Sequence, residues 1–259
     1  TGEQKMYFKD KVIVVTGASR GIGEAAARYL APLGAHVFLA ARSAARIAEI
    51  AGELNTRGGS ARAVACDVSD PAQVEALIAT ATEKIGRLDL LVNNAGLIDP
   101  IARLADSDTS AWGRVVDVNF KGVYHGMRFA IPVMAGRGGG TIVNISSGAA
   151  TSALEGWSHY CATKAAVLSL TRVADREYRS QGVRVIGLSP GTVATRMQEK
   201  IRDSGINPVS RLDWSEHIPA EWVAKAIAWL ATEAADPHLG TDFSLKTKEG
   251  RRAVGLPEI

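Results

Sequence analysis

The sequence predicts an α/β fold in which one doubly wound parallel sheet carries helices on both faces. The first observation is a β-branched run at residues 11–16, followed by a glycine-rich turn and a helical stretch. Such an uninterrupted apolar run is typical of a parallel strand buried on both faces. The second observation is that strand-like and helical stretches continue to alternate along the 259 residues. This length fits one large domain, which we take to span residues 1–259.

The elements are predicted in order from hydrophobic periodicity and from glycine and proline positions. We expect strands at residues 11–16, 35–40, 61–66, 88–92, 141–145, 182–188 and 241–245. We expect helices at residues 24–33, 43–56, 112–134 and 219–230, and others starting at Pro71 and Ser158. Between residues 193 and 218 no period is sustained, which predicts an irregular, mobile lid over a substrate.

Composition excludes several classes of protein. Hydrophobic residues make up 46% of the chain and charged residues 22%, which is ordinary for a globular protein. A net charge of +3 with mixed signs gives no nucleic-acid footprint. No apolar run reaches the roughly 20 residues that a membrane span requires. Residues 1–7 lack the apolar core of a signal peptide, and we expect them to be flexible.

Cysteine and histidine usage points to a reducing compartment and to chemistry without a metal. Cys66 and Cys161 are too few for a disulfide framework, so we expect a cytoplasmic protein. The five histidines are scattered without the spacing of metal ligands. We therefore predict no metal site.

The turn after the first strand is a candidate phosphate site. Glycines let the backbone approach a pyrophosphate, which the N–H groups and the positive dipole of the next helix can hold. The residues expected to contact it are Gly17, Ser19, Arg20, Gly21, Ile22 and Gly23. Gly17, Ser19 and Gly21 also match the nucleophile elbow of α/β-hydrolases. That alternative fails because only sixteen residues precede the turn, too few for the strand that supplies an oxyanion hole.

Tyr160 and Lys164 are candidate catalytic residues. They are four positions apart in a predicted helix, so they lie on the same face. An ammonium beside a phenol favours the phenolate, and we expect Lys164 to lower the pKa of Tyr160. Ser147, at the end of the preceding strand, is placed to hydrogen-bond the same substrate oxygen. Taken alone, the Tyr160–Lys164 pair also fits an ordinary pair on a helix surface.

The motifs together resemble the short-chain dehydrogenase/reductase family, with the Rossmann-like fold that this implies. The resemblance covers about residues 8–245 and includes, in order, the Gly17–Gly23 turn, Asn93-Asn94-Ala95-Gly96, Ser147 and Tyr160-x-x-x-Lys164. It implies that Tyr160 transfers a proton, that Ser147 orients the oxygen, and that Lys164 also holds the cofactor ribose. It implies a fourth catalytic residue, Asn119, which holds a water linked to Lys164. A purely structural Asn119 is the alternative.

The resemblance also implies further cofactor contacts at the ends of other strands. Asp67 and Val68 would line the adenine, although Asp67 fits the start of a turn equally well. Asn94, Ala95 and Gly96 would form a small-residue loop beside the glycine turn. The turn beside the nicotinamide would contain Pro190, Gly191 and Thr192.

Cofactor choice depends on the residues after the second strand. Relatives that use NAD have an acidic residue there for the ribose 2′-hydroxyl, whereas this chain has Ala41 followed by Arg42. A guanidinium can bind the 2′-phosphate of NADP(H) in a charge-assisted fork, joined by Arg20. We therefore predict NADP(H) rather than NAD. A solvated Arg42 at the start of a helix is the alternative.

The prediction from these features is an oxidoreductase that transfers a hydride between NADP(H) and a small carbonyl or alcohol substrate. Two alternatives stay open: reduction of a 3-oxoacyl thioester on a carrier protein, and a non-catalytic nucleotide sensor. In relatives the helices corresponding to residues 108–136 and 158–181 pack against their copies, so we expect a homotetramer. Residues 246–259 depart from the family, whose last strand runs into Asp-Gly-Gly.

Overall fold

The structure is a computed structural model that describes residues Gly2 to Glu258. All the strands within these residues pair in parallel in one sheet. The strands are β1 (Val12–Thr16), β2 (His36–Ala41), β3 (Ser60–Ala65), β4 (Leu90–Asn93), β5 (Gly140–Ile145), β6 (Val183–Ser189) and β7 (Asp242–Ser244). Their order in the sheet is β3-β2-β1-β4-β5-β6-β7. The chain therefore winds outward in both directions from β1 and β4, which confirms the predicted doubly wound sheet.

Helices cover both faces of this sheet. They are α1 (Gly2–Phe8), α2 (Gly21–Leu30), α3 (Ala44–Thr56), α4 (Pro71–Thr82), α5 (Thr109–Val116), α6 (Gly122–Ala135), α7 (Ser158–Tyr178), α8 (Arg196–Ser204), α9 (Ala220–Leu230) and α10 (Lys248–Val254). One apolar core contains buried side chains of α2, α3 and α9. The core on the opposite face contains side chains of α4, α6 and α7.

The β1 sequence shows why the sheet needs both layers. All five of its residues are buried. Ile13 and Val15 belong to the core under α2, whereas Val12 and Val14 belong to the core under α4. Because neighbouring side chains of a strand point to opposite faces, an apolar run is stable only where both faces are covered.

Three segments differ from the sequence expectations. The stretch 193–218, expected to be irregular, contains α8, and a parallel bridge between Val193 and Ile218 closes it at its base. Of residues 1–7, expected to be flexible, Gly2 to Tyr7 belong to α1, which ends at the buried Phe8. Thr1 lies outside the described residues. The helix expected at residues 112–134 is interrupted by a π-helical segment, Asp117–Lys121. No helix between residues 2 and 258 is both long and apolar enough to cross a membrane.

Candidate active site

The glycine turn lies between the carboxyl ends of β1 and β4, where the winding direction of the sheet reverses. Gly17 has φ +63, and a Cβ built on it would lie 2.8 Å from the Cα of Ala95. A Cβ on Gly23 would lie 2.4 Å from the carbonyl oxygen of Gly17. The Asn94 amide donates to the carbonyl oxygens of Thr16 at 3.0 Å and Gly17 at 3.2 Å. Only glycine fits at positions 17 and 23, so the turn is held tightly against the loop after β4.

The amino end of α2 faces outward from this turn. No side chain within residues 2–258 caps this end of the helix. The first N–H groups of an α-helix have no partner inside the helix, so here they are free to bind an anion. Ser19 and Ile22 are partly exposed and Arg20 is exposed. The six residues predicted from the sequence thus lie together at this end of α2, with Gly23 buried beneath the turn.

Three predicted catalytic side chains come together beyond the end of β5. Ser147 is half-buried, and its hydroxyl accepts a hydrogen bond from the Ala149 amide at 3.1 Å. Tyr160 is half-buried, and Lys164 is 5% exposed. The Lys164 Nζ lies 5.5 Å from the centroid of the Tyr160 ring and donates to the carbonyl oxygen of Ile145 at 2.7 Å. One strand end and one helix therefore position a serine, a tyrosine and a lysine together.

The electrostatics of Tyr160 differ from the sequence expectation. Burial raises the pKa of Tyr160 to about 12, and the neighbouring Ser147 hydroxyl, as a hydrogen-bond partner, opposes that rise only in part. Burial lowers the pKa of Lys164 to about 8, against the attraction of the Asp242 carboxylate. The structure therefore differs from the expectation that Lys164 lowers the pKa of Tyr160, because burial has the larger effect on that pKa. The Lys164 ammonium donates to the Ile145 carbonyl oxygen, and desolvation is the largest cause of the pKa shifts of both Tyr160 and Lys164.

Asn119 lies in the π-helical segment and is fully buried. Its side-chain oxygen accepts from the Leu97 amide at 2.8 Å, and its Nδ2 donates to the Leu97 carbonyl at 2.8 Å. Both polar ends of the side chain are thus engaged by one backbone residue of the loop after β4. These two hydrogen bonds fix the loop that follows Asn94, Ala95 and Gly96. The structural alternative for the Asn119 side chain therefore has direct geometric support.

The predicted adenine and 2′-phosphate residues lie at the ends of β2 and β3. Arg42 is exposed, and no carboxylate within residues 2–258 forms an ion pair with it. Asp67 accepts hydrogen bonds from Ser69, at 3.0 Å from its amide and 2.7 Å from its hydroxyl, and from Arg114 at 2.6 Å. Burial would raise the pKa of Asp67, but these bonds outweigh it and lower the pKa to about 2. Asp67 therefore starts a turn, as one of its two sequence interpretations proposed; Val68 beside it is buried.

The Pro190–Thr192 turn continues β6 at the same edge of the sheet. Gly191 has φ +81, a conformation that favours glycine. The Thr192 carbonyl accepts from the Ile218 amide at 3.0 Å. The turn therefore leads directly into residues 193–218, the predicted lid, and fixes the base of that segment.

An apolar cluster lies next to Tyr160. Its buried members are Ile98, Ala149, Trp157 and Ile201, with Ile101, Leu154, Tyr160, Cys161, Met197 and Val209 packed around them. The lid contributes Met197 and Ile201 from α8. It is fastened to the body by an ion pair between Lys200 and Asp99 and by a hydrogen bond from Asn207 to the Glu155 carbonyl at 3.0 Å. The hydroxyls of Ser147 and Tyr160 thus border an apolar wall.

Residues 11–205 match the family model described as short chain dehydrogenase. The chain belongs to the short-chain dehydrogenase/reductase family.

Relatives and a solved structure agree with this assignment. The chain is 38% identical to the cis-4-hydroxycyclohexanecarboxylate dehydrogenase of Sinomonas cyclohexanicum, over 88% of this chain and 92% of the relative. It is 30% identical to the cyclohexanol dehydrogenase of Acinetobacter sp. strain SE19, over 91% of this chain and 93% of the relative. The structure of a short-chain type dehydrogenase/reductase from Mycobacterium ulcerans superimposes with a TM-score of 0.84 at 30% identity, covering 92% of this chain and 89% of the other.

As a short-chain dehydrogenase, the protein is an oxidoreductase that acts on CH–OH groups and uses a nicotinamide cofactor. Its own residues fit such a cofactor. The uncapped amino end of α2 suits a pyrophosphate. At Gly17 and Gly23 the glycine turn presents backbone instead of side chains, which lets a pyrophosphate approach closely.

Two charged residues of this short-chain dehydrogenase were missed at the sequence level. Asp242 in β7 accepts a hydrogen bond from the Ser146 hydroxyl at 2.8 Å, and its other carboxylate oxygen is buried without a partner in the described structure. Burial raises the pKa of Asp242, while the Ser146 bond and the charges of Lys164 and Arg172 oppose the rise. Lys246 follows β7 at the same edge. Neither belongs to a local motif, because both reach the site only through the pairing of β6 with β7.

Proposed function

We propose that the protein is an NADP(H)-dependent oxidoreductase that interconverts a secondary alcohol and the corresponding ketone. The observation that carries the proposal is the meeting of Ser147, Tyr160 and Lys164 at the end of β5, bordered by an apolar wall. A proton donor, a hydrogen-bonding hydroxyl and a buried amine are the groups that a carbonyl oxygen needs while its charge changes.

The bound cofactor supplies or accepts the hydride at C4 of its nicotinamide. In the proposed reduction, Tyr160 gives its hydroxyl proton to the substrate oxygen, and the Ser147 hydroxyl holds that oxygen. The raised pKa of Tyr160 suits this direction because the phenol stays protonated at neutral pH. Lys164 binds the cofactor ribose with the N–H groups that Ile145 does not use. Asn119 keeps the Leu97 backbone, and hence the cofactor loop, in place.

The proposed substrates are cyclic secondary alcohols and ketones. The names of the two relatives state dehydrogenation of hydroxylated six-carbon rings. The apolar cluster beside Tyr160 is suited to bind a ring of that kind. A panel of cyclic ketones, acyclic ketones and a carrier-bound 3-oxoacyl thioester, followed by NADPH absorbance, tests the proposal. Turnover of the thioester alone would replace it with the carrier-dependent alternative.

Cofactor preference gives the first prediction. The double variant Ala41→Asp, Arg42→Ala should prefer NAD, because Asp accepts from the ribose 2′-hydroxyl while the partner of the 2′-phosphate is lost. Loss of one charge-assisted contact of about 1.5–3 kcal/mol corresponds to roughly 10- to 150-fold in NADP(H) affinity. The ratio of kcat/KM for NADPH and NADH measures the change.

Arg57→Ala is the matched control, since it removes an exposed arginine from the other end of α3. It should leave the cofactor ratio unchanged. An unaltered NADP(H) preference in the double variant would show that Arg42 is only a solvated charge.

Assembly gives the second prediction. We propose that α6 and α7 pack against copies of the chain in a homotetramer. Tyr124 on α6 is 48% exposed and Val173 on α7 is 47% exposed, so both helices present large apolar side chains outward. Light scattering at micromolar concentration should give a mass about four times that of the chain. A Tyr124→Lys, Val173→Lys variant should shift that mass downward, and a monomeric parent protein would contradict the proposal.

A further inference from the structure

Lys246 leaves the sheet beside the proposed catalytic centre. It follows β7, and the β7 residue Ser244 pairs with Ser189, the last residue of β6. The Leu245 amide donates to the Ser189 carbonyl at 3.0 Å. The backbone of Lys246 is therefore fixed next to the Pro190–Thr192 turn and is not part of a free terminal segment.

The Lys246 side chain crosses this turn toward the serine loop. A Cβ built on Gly191 would lie 2.9 Å from the Lys246 Cγ, so the aliphatic stem lies on Gly191. A Cβ built on Gly148 would lie 3.9 Å from the Lys246 Nζ. The ammonium of this exposed side chain therefore lies near the residue that follows Ser147, and the missing side chain at Gly191 makes room for the stem.

Within the part of the chain that the structure describes, the ammonium has no protein partner that would account for this placement. Among residues 2–258, no hydrogen bond or ion pair involves the Lys246 Nζ. Asp242 in β7 accepts a hydrogen bond from Ser146 through one carboxylate oxygen, and neither of its oxygens bonds the Lys246 Nζ. Three N–H donors thus remain available at the mouth of the site.

The other side of the same loop is apolar. Gly148 is followed by Ala149, which is buried in the cluster that contains Trp157 and Ile201. A molecule whose oxygen contacts Ser147 and Tyr160 therefore meets an apolar wall on one side and the Lys246 ammonium on the other, while the Lys164 ammonium donates to the Ile145 carbonyl oxygen. A mostly apolar pocket with one charged group selects a ligand with an apolar body and one opposite charge.

We propose that Lys246 is a specificity-determining residue that binds a carboxylate of the substrate. The preferred substrates are then hydroxy acids and keto acids whose carboxylate is separated from the reacting oxygen by an apolar skeleton. This inference rests on the proposed function and narrows it to one substrate class.

Two probes of the same shape test it: a cyclohexanone with a carboxylate at carbon 4, and the same ring with a carboxamide. Lys246→Met keeps the stem on Gly191 and removes the charge. It should lower kcat/KM for the carboxylate about 10-fold or more, chiefly through KM, and leave the carboxamide unchanged. Lys246→Arg should restore most of the loss. Lys248→Met, an equal charge change on an exposed residue, should leave both probes unaffected.

Calorimetric binding of the carboxylate probe to the protein with oxidised cofactor gives a readout that does not depend on turnover. Its Kd should rise about as much as KM in Lys246→Met. Equal losses for both probes, or no loss for either, would overturn the proposal. Weaker NADP(H) binding with unchanged discrimination between the probes would also overturn it, by assigning Lys246 to a cofactor phosphate. Wild-type turnover of the carboxamide keeps the proposed function intact in each of these cases, whereas wild-type turnover of neither ketone contradicts that function itself.

Discussion

Tyr160→Phe should lower the rate of ketone reduction by about 10² to 10⁴-fold, the usual range for loss of a general acid. The substitution keeps the ring, which packs edge-on against Trp157 with centroids 5.5 Å apart. It removes only the hydroxyl that transfers the proton. Cofactor affinity should therefore stay close to that of the parent protein. The loss should appear in the rate constant of reduction measured in a single turnover.

Tyr178→Phe provides a matched control because it removes the same hydroxyl from the far end of the same helix, α7. It should retain full activity. Thermal unfolding of both variants shows whether either change disturbs packing. A folded Tyr160→Phe protein with near-parental turnover on its true substrate would refute the proposed mechanism without touching the fold.

The parts of the fold that could be predicted from the sequence are those that depend on local patterns of residues. The β1 run is buried on both faces, and the glycine spacing of the following turn reflects backbone contacts at Gly17 and Gly23. The four-residue spacing of Tyr160 and Lys164 also fixed their common helix face. Each of these inferences needed only neighbouring residues.

The helix in the lid was missed for a different reason. Residues 196–204 bury only Gln198 and Ile201 in a segment that is otherwise strongly charged, so the segment contains too few apolar residues for its helical period to be recognised. The helix is stabilised from outside the segment, by the Lys200–Asp99 ion pair and by packing of Ile201 in the apolar cluster. Tertiary contacts of this kind leave no local signal.

The electrostatics of the site could not be predicted from spacing. Spacing placed Lys164 beside Tyr160, but the Ile145 carbonyl and the burial of both groups decide their pKa values. Asp242 enters the site because β7 pairs with β6, and it lies 78 positions after Lys164 in the chain. A pattern in one stretch of sequence cannot contain that contact.

The second large effect is expected for Lys164→Met, which should impair both binding and chemistry. It removes a charge-assisted contact of about 1.5–3 kcal/mol to the cofactor ribose, so the NADP(H) Kd should rise roughly 10- to 150-fold. It also removes the ammonium 5.5 Å from the centroid of the Tyr160 ring, which would stabilise the phenolate that forms when Tyr160 gives up its proton, so kcat should fall as well. Fluorescence titration with NADPH measures the first effect, and single-turnover kinetics at saturating NADPH measures the second. Normal cofactor affinity in a folded Lys164→Met protein would contradict the ribose contact.

Asp242→Asn tests the charge of Lys164 without removing the lysine. The Asp242 carboxylate raises the pKa of Lys164 against the desolvation that lowers it to about 8. Reduction needs protonated Lys164, so activity should fall as the pH rises through its pKa. Without the carboxylate that pKa decreases, and the basic limb of kcat/KM should move to lower pH. Ser146→Ala removes the hydrogen bond that opposes the rise in the Asp242 pKa but keeps the carboxyl group, so it should move the limb in the same direction and less far than Asp242→Asn does. A limb that stays in place in Asp242→Asn, or moves as far in Ser146→Ala, would show that Asp242 acts on packing and not on the charge of Lys164.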